Sequence, residues 1–250
     1  MLKEERYDKI LEIINEETYT SAQNLAERLF VSLPTVRRDL TELQKRKLIV
    51  RSHGGAKKID TKHTVLPTDF RQTLHPAEKR RICQAAASMV KDNSIVFIDA
   101  STTAFALVDF LDDKRGITVV TNSMPLSLAL HKKHIKTYCT GGEVQSNSLG
   151  YAGGYAEEMI RHFNADVLFF SSFGVSAQGM IVDPSQAESL LRKTAAHCSN
   201  RVVFLCDHSK FGRSAPYNVM CLDEVDTVIT NRENPSPILR ALPKDKLVFA

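Results

Sequence analysis

The chain has 250 residues, 43% of them hydrophobic and 25% charged, with a formal net charge of +4, a balance ordinary for a soluble globular protein of one or two domains. No apolar run approaches the roughly 18 residues that a membrane span needs, and the opening MLKEERYDKI is too charged for a secretory signal. The five cysteines (Cys83, Cys139, Cys198, Cys206, Cys221) are odd in number and form no CxxC pair, which points to a reducing cytosol with buried thiols rather than a disulfide frame or a zinc knuckle.

In chain order, the first expected helix carries Tyr7, Ile10, Leu11 and Ile14 at i, i+3, i+4, i+7, a single apolar stripe. Thr20 followed by Gln23 reads as a capping box that opens a second helix, where Ala22, Leu25, Ala26 and Leu29 repeat the spacing. Phe30-Val31 is a tight connection. Ser32 is a good N-cap for a third helix, and Pro34 suits a first turn whose N–H groups are unpaired anyway. On that helix Leu33, Val36, Leu40 and Leu43 share one face. Pro34, Arg38, Thr41 and Lys45 point the opposite way, with Thr35 and Arg37 on the flanks. The outward face therefore offers phosphate and base-edge chemistry instead of the Glu/Lys ladder of a solvated helix. Next, LIVRSHGGAKKI reads as a β-run, a His53-Gly54-Gly55 turn and a second run with Lys57 and Lys58. Two helices, a turn, a third helix and a basic hairpin make a winged helix. Charge agrees: residues 1–30 sum to −3 and residues 31–58 to +6, a positive block suited to a polyanion.

Residues 59–75 lack periodicity and read as a linker after a first domain of residues 1–58. From Pro76 to the last residue the pattern is α/β. An Ala-rich helix (AEKRRICQAAASMV) comes first, and then strand-like runs alternate with helix-length stretches: SIVFID (94–99), ITVVT (117–121), IKTYCT (135–140), DVLFFSS (166–172), RVVFLC (201–206) and DTVIT (226–230). Such continuous apolar runs mark a mostly parallel sheet covered on both faces. KLVFA at the end adds an edge strand.

Ligands of such sheets sit at the carboxyl ends of the strands, and there the polar residues collect. SIVFID is followed by Ser101-Thr102-Thr103 at the start of a helix, where hydroxyls and free N–H groups form an anion site, or Ser101 or Thr102 simply caps. ITVVT is followed by Asn122, IKTYCT by Gly141-Gly142, and RVVFLC by Asp207-His208-Ser209-Lys210. Together these loops suit a polyol phosphate, with Lys210 neutralising phosphate and Asp207 accepting from sugar hydroxyls. Several other features read as structural. His131 and His134 form a solvated helix end rather than a metal site, since carboxylates are lacking nearby. Gly153-Gly154 is a turn before a helix, and it lacks dinucleotide-binding spacing. Ser171-Ser172 lacks a nucleophile elbow. Glu188 and Arg192 at i+4 read as a surface ion pair, and His197 and Cys198 as interior or half-exposed helix residues.

RYDKILEIINEE followed by SAQNLAERLFVSLPTVRRDLTELQKRKLIVRSHGGA resembles the N-terminal winged helix of the DeoR family of bacterial transcription regulators. The likeness continues through IDASTT, VVTNS, TGGE, FGVS, AESLLRK, DHSKFG and VITN, nearly the whole chain. The resemblance implies a sensor domain similar to ribose-5-phosphate isomerase, a phosphorylated-sugar effector, a homo-oligomer (dimer or tetramer), and a repressor of a carbohydrate operon acting on double-stranded operator DNA in the cytoplasm, with no cofactor, metal or membrane partner. It puts the DNA-reading helix at Ser32–Gln44, with Thr35, Arg37 and Arg38 as contacts, and the wing at Arg51, His53 and the lysines after it. The family's phosphate loop falls on Asp99–Thr103, with Ser101 where the usual residue is glycine. Asn122, Gly141, Gly142, Asp207 and Lys210 match. Gly174 closes SSFG at 171–174, where relatives more often begin with glycine. Two other functions compete. Sugar-phosphate isomerases of this fold resemble one another in an Asp-Gly-Ala-Asp loop, and the equivalent position here, Ser171-Ser172-Phe173-Gly174, lacks the acids that proton abstraction needs. The α/β half could also serve oligomerisation alone.

Overall fold

The computed structural model describes residues 2–17, 19–46, 48–52, 54–58, 66–145, 147–231 and 236–250. The chain divides into two compact units, Met1–Phe70 and Arg71–Ala250.

The first unit is the expected winged helix. Helices α1 (Lys3–Glu17), α2 (Ala22–Leu29) and α3 (Leu33–Lys45) are joined to strands β1 (Tyr19–Ser21), β2 (Ile49–Ser52) and β3 (Gly55–Lys58). The apolar stripes converge as their spacing requires: Ile10, Ile14, Leu25, Val36, Leu40 and Leu43 are all buried in one core with Ile49 and Ala56. Each such side chain contributes roughly 1.5–3 kcal/mol on leaving water. Two details differ from the sequence expectation. The N-cap of α2 is Ser21, whose hydroxyl accepts from Asn24 N, while Thr20 belongs to β1 and Gln23 donates to Glu27 Oε1. Strand β1, too short to show a period, pairs antiparallel with β3 and makes the hairpin a three-stranded sheet of order β1-β3-β2. That crossing explains Gly55, because a Cβ there would lie 2.1 Å from Thr20 O.

Within the stretch expected to be a linker, Thr68–Thr73 forms helix α4. The first whole helix of the second unit is α5 (Pro76–Ala87), and the unit contains a seven-stranded parallel sheet. Its strands are β4 (Ile95–Ile98), β5 (Thr118–Thr121), β6 (Lys136–Cys139), β9 (Val167–Phe170), β12 (Val202–Leu205), β14 (Thr227–Thr230) and β15 (Leu247–Phe249), in the order β15-β14-β12-β9-β4-β5-β6. All six expected strands and the terminal edge strand are present. The apolar runs divide by alternation between two cores: Val96, Ile98, Phe169, Val203 and Leu205 face one, and Phe97, Leu168, Phe170, Val202 and Phe204 the other. Burial on both faces is why these strands read as continuous apolar runs. Helices α6 (Thr102–Phe105), α7 (Met124–Lys132), α8 (Gly154–Arg161), α9 (Gln186–His197) and α10 (Pro237–Arg240) complete the unit. The helix expected over TAFALVDFL is α only at its start and tightens to 3-10 over Ala106–Phe110. Two antiparallel additions escaped the sequence reading: the pair β7 (Glu143–Gln145) and β8 (Gly150–Ala152), and the sheet of β10 (Gly174–Val175), β11 (Met180–Asp183) and β13 (Tyr217–Cys221). Among the described residues no helix is long and apolar enough to cross a membrane, and no group of three His, Cys, Asp or Glu could hold a metal.

The strand order sets the site. From β4 the chain winds outward through β5 and β6, then returns to place β9 on the other side of β4 and winds away through β12, β14 and β15. The crevice opens where winding reverses, beyond the carboxyl ends of β4 and β9. Those ends carry Asp99–Thr103 and Ser171-Ser172.

Candidate functional site

In the winged helix, α3 is fixed from below. Arg6 on α1 forks onto Asp39, with Nε to Oδ2 at 2.5 Å and Nη2 to Oδ1 at 3.1 Å, and Asp39 is buried. A two-bond fork holds both position and rotation of the helix. Ser32 caps α3 by accepting from Thr35 N, and its hydroxyl lies 2.8 Å from that of Thr35. Arg37, Arg38 and Lys45 are exposed on the outer face, as is Lys57 on β3. Thr41 is exposed but its hydroxyl donates to Arg37 O, and Arg51 on β2 donates to Thr41 Oγ1 at 3.1 Å. Arg51 and Thr41 thus bind the wing to the helix, with Arg37, Arg38, Lys45 and Lys57 among the outward charges. His53 lies outside the described residues.

At the reversal point of the parallel sheet, Lys210 Nζ donates to Ser171 Oγ at 2.6 Å, to Ser172 O at 2.9 Å and to Thr103 Oγ1 at 3.5 Å. It spans the ends of β4 and β9. Asp207 is buried, and its Oδ1 accepts from Ser209 N and Ser209 Oγ. Burial opposes the Asp207 charge, but Lys210 and the Ser209 bonds prevail and hold its pKa below the ordinary value. Gly174 lets this loop approach, since a Cβ there would sit 2.6 Å from Arg213 Cβ and 2.7 Å from Lys210 O. Ser101 caps α6 through Ala104 N with φ −74°, so the backbone at this position makes no demand for glycine. Asn122 is buried, donates to Tyr151 O at 2.9 Å, and leaves Oδ1 without a partner among the described residues. A buried acceptor left unpaired costs about 1–3 kcal/mol, so it awaits a donor. Gly141 and Gly142 turn the chain at φ 64° and 110°, and a Cβ on Gly142 would meet Ala152 O at 2.7 Å. The close contacts of Gly142 therefore run to β8 and α8, while Gly141 stands in open space and serves the turn after β6 by its positive φ.

Asp99 faces inward. One oxygen accepts from Ser101 N at 3.1 Å and Ser171 N at 3.4 Å, the other from Arg192 Nε at 3.0 Å. Arg192 also donates to Asp183 Oδ2 at 2.7 Å and to Glu188 at 3.5 Å, and it is 6% exposed. The surface pair expected for Glu188 and Arg192 is instead part of a buried hub, because α9 turns Arg192 toward the sheet. Burial disfavours this guanidinium, but Asp183, Asp99 and Glu188 outweigh it and raise its pKa. His197, at the far end of α9, is exposed, and Cys198 is half-buried.

Sequence reasoning missed three cations near Lys210: Lys79, Arg71 and Arg213. Lys79 on α5 is 5% exposed; its Nζ donates to the Arg71 carbonyl and to Thr102 Oγ1 at 3.4 Å. Burial, with Lys210 next, lowers its pKa to about 8. Burial likewise lowers the pKa values of Lys210, Arg71 and Arg213, with Asp207 acting against it for Lys210 and Arg213. Arg213 lies over the Phe173 ring at 5.3 Å. Lys79 had a legible signal: Lys79, Ile82, Cys83 and Ala86 fall at i, i+3, i+4, i+7, so the lysine occupies an apolar stripe. Arg71 and Arg213 offered none. The fourth cation, Lys210, was expected at the site but not in this company. A region where desolvated cations outnumber carboxylates stabilises an anion.

Comparison with known proteins gives two family matches, a DeoR-like helix-turn-helix domain over residues 6–62 and a DeoR C-terminal sensor domain over residues 74–232. The chain is 30% identical to the glycerol-3-phosphate regulon repressor of Escherichia coli, covering 97% of this chain and 96% of that protein. It is 32% identical to an uncharacterised helix-turn-helix transcriptional regulator of Bacillus subtilis over 99% and 96% of the two chains, and 29% identical to the L-fucose operon activator of Haemophilus influenzae over 92% of each. Part of the chain resembles the ribose 5-phosphate isomerase of Plasmodium falciparum with a TM-score of 0.40 and 14% identity, over 53% of this chain and 52% of that one; a likeness that partial does not bring that protein's chemistry here.

Proposed function

The chain belongs to the DeoR family of transcriptional regulators, and from that premise we propose that it is a cytoplasmic repressor of a carbohydrate operon, released from operator DNA by a phosphorylated sugar. The observation that carries the effector class is the cluster of Lys79, Lys210 and Arg213 around Asp207, with Arg71 beside the two lysines, at the sheet's reversal point. Phosphate charge compensates those cations, and the unpaired Oδ1 of buried Asn122 accepts a sugar hydroxyl. Thr102, Thr103 and the Ser101 cap line the approach; Asp99, Gly141, Gly142 and Gly174 hold the loops in shape. On DNA, Arg37, Arg38, Lys45 and Lys57 contact phosphates, and side chains of the outer face of α3 with Ser32, Thr35 and Thr41 read base edges or settle the register.

The protein is not an isomerase in this reading. Ser171 and Ser172 stand at the position where such enzymes carry acids, and their hydroxyls donate to carbonyls of Leu205, Gly174 and Val182. The repressor works as a homo-oligomer, dimer or tetramer, so that the effector changes the spacing of paired winged helices; coupling requires the ligand to prefer one arrangement.

The test is a melting-temperature screen with ribose 5-phosphate, fructose 1-phosphate, glycerol 3-phosphate and inorganic phosphate, followed by operator binding with each stabilising compound. A ligand that binds only the native state must raise the melting point. Stabilisation by a sugar phosphate, with release of DNA that Lys210→Ala abolishes while its DNA binding persists, supports the proposal. Release by the same concentration in Lys210→Ala means the pocket is elsewhere, and no stabilisation at millimolar concentration overturns the effector class.

A further inference from the structure

The chain passes from one compact unit to the other inside α4. Phe70, on its first half, packs against the winged-helix core. Arg71, the next residue, belongs to the sensor unit: its carbonyl accepts from Lys79 Nζ and its guanidinium donates to Asn147 O at 2.6 Å. Lys79 is therefore bound to two places. One is the backbone of α4. The other is Thr102 Oγ1, at the edge of the anion site.

The ammonium carries three donors, and the two partners found for it here, a carbonyl and a hydroxyl, are both neutral. It feels Asp207 against Lys210 and Arg71, so its surroundings are short of negative charge. The bond to the carbonyl is already charge-assisted by the ammonium, and an anionic oxygen adds full charge–charge attraction, strengthened by burial, that the carbonyl lacks. An anion that enters between Lys210 and Thr102 thus competes for Lys79 with an advantage over the carbonyl.

We propose that Lys79 is a latch joining the anion site to the connecting helix: an anionic ligand seated against Lys210 draws the Lys79 ammonium off the Arg71 carbonyl, and α4 loses that tie to the sensor sheet. The inference rests on the effector reading above and adds the route by which binding reaches the segment leading to the winged helix. Reciprocity follows from linkage, since any arrangement that holds α4 against Lys79 weakens anion binding by the same factor.

Amide hydrogen exchange in the full-length protein tests it, with inorganic phosphate and glycerol 3-phosphate as probes and melting temperature as a separate report of binding. In the wild type, a probe that raises the melting point is expected to speed exchange in the peptide spanning α4 by several-fold. Lys79→Met is expected to exchange fast there without ligand and to show no further change on adding it, while Lys210 still confers some stabilisation. A probe that binds but leaves α4 protection unaltered in the wild type overturns the latch and spares the effector reading. So does Lys79→Met with wild-type protection of α4. If neither probe nor any sugar phosphate shifts melting, the effector reading fails and the latch with it. Should Lys79→Met not fold, the wild-type comparison with and without probe still decides.

Discussion

Replacing Arg192 by methionine distinguishes a buried hub from a solvated helix pair. The guanidinium has a side-chain exposure of 7% and pairs with Asp99 at 3.0 Å and Asp183 at 2.7 Å, carboxylates exposed by 1% and 4%. Met fills a similar volume but leaves both acids without their counter-charge. Breaking a buried pair by removing one partner costs about 3–5 kcal/mol, and in a domain of this size each kcal/mol lowers the melting point by about 2–4 °C. The expected drop is therefore about 6–20 °C, read by calorimetry on the full chain. Glu188→Gln is the internal control: its contact is 3.5 Å long, and glutamine keeps the volume and an acceptor oxygen, so the change should cost less than Arg192→Met, which leaves two acids uncompensated. The pH dependence has a sign. Burial raises the Asp183 pKa, with Arg192 opposing; without Arg192 the raised carboxyl favours folding at acid pH, and the deficit deepens as pH rises through it. Equal, small effects of Arg192→Met and Glu188→Gln would refute the hub.

Phe30 closes α2 in the left-handed region at φ 53° with 94% of its surface exposed; Phe30→Gly removes strain without losing packing and should stabilise by about 1 kcal/mol in urea unfolding, whereas destabilisation would show that the ring makes a contact of its own. Arg38→Ala should weaken binding to the promoter fragment upstream of the gene at least a few-fold in fluorescence anisotropy, and wild-type affinity should fall steeply with salt; an unchanged Kd removes Arg38 from the interface. Binding of glycerol 3-phosphate by titration calorimetry should weaken as pH rises through about 8, where Lys79 loses its proton, and Lys79→Met should flatten that dependence. In the unliganded protein the same lowered pKa makes stability rise between about 8 and 10.5, because there the unfolded chain binds the extra proton.

The parallel sheet was legible because burial on both faces leaves an unbroken apolar run such as VLFF at 167–170, and the winged helix because three stripes at helical spacing precede a Gly-Gly turn. Short or paired elements were not. Strand β1 exists only because β3 lies beside it, and α4 is too short for a periodic signal. Loop residues at the strand ends were expected from alternation alone, and the structure brings Thr103, Ser171, Asp207 and Lys210 into one cluster. Glu188 and Arg192 were misread because spacing along a helix says who can touch, and only the tilt of α9 says whether water reaches them. Lys79 was overlooked amid EKRR, where three neighbouring charges concealed that one of them lies in the apolar stripe.

The division of labour at the sheet edge bears on how relatives diverge. Asp99 and Arg192 are committed to the frame, whereas the hydroxyl of Ser171 sits between the frame and the far loop, donating to Leu205 O and accepting from the Lys210 amine. Swapping Ser171 for glycine would leave that amine held by Ser172 O and Thr103 alone, and would remove one hydroxyl tie to Leu205, with Asp99 and Arg192 unchanged. Taste can drift here while architecture stays put.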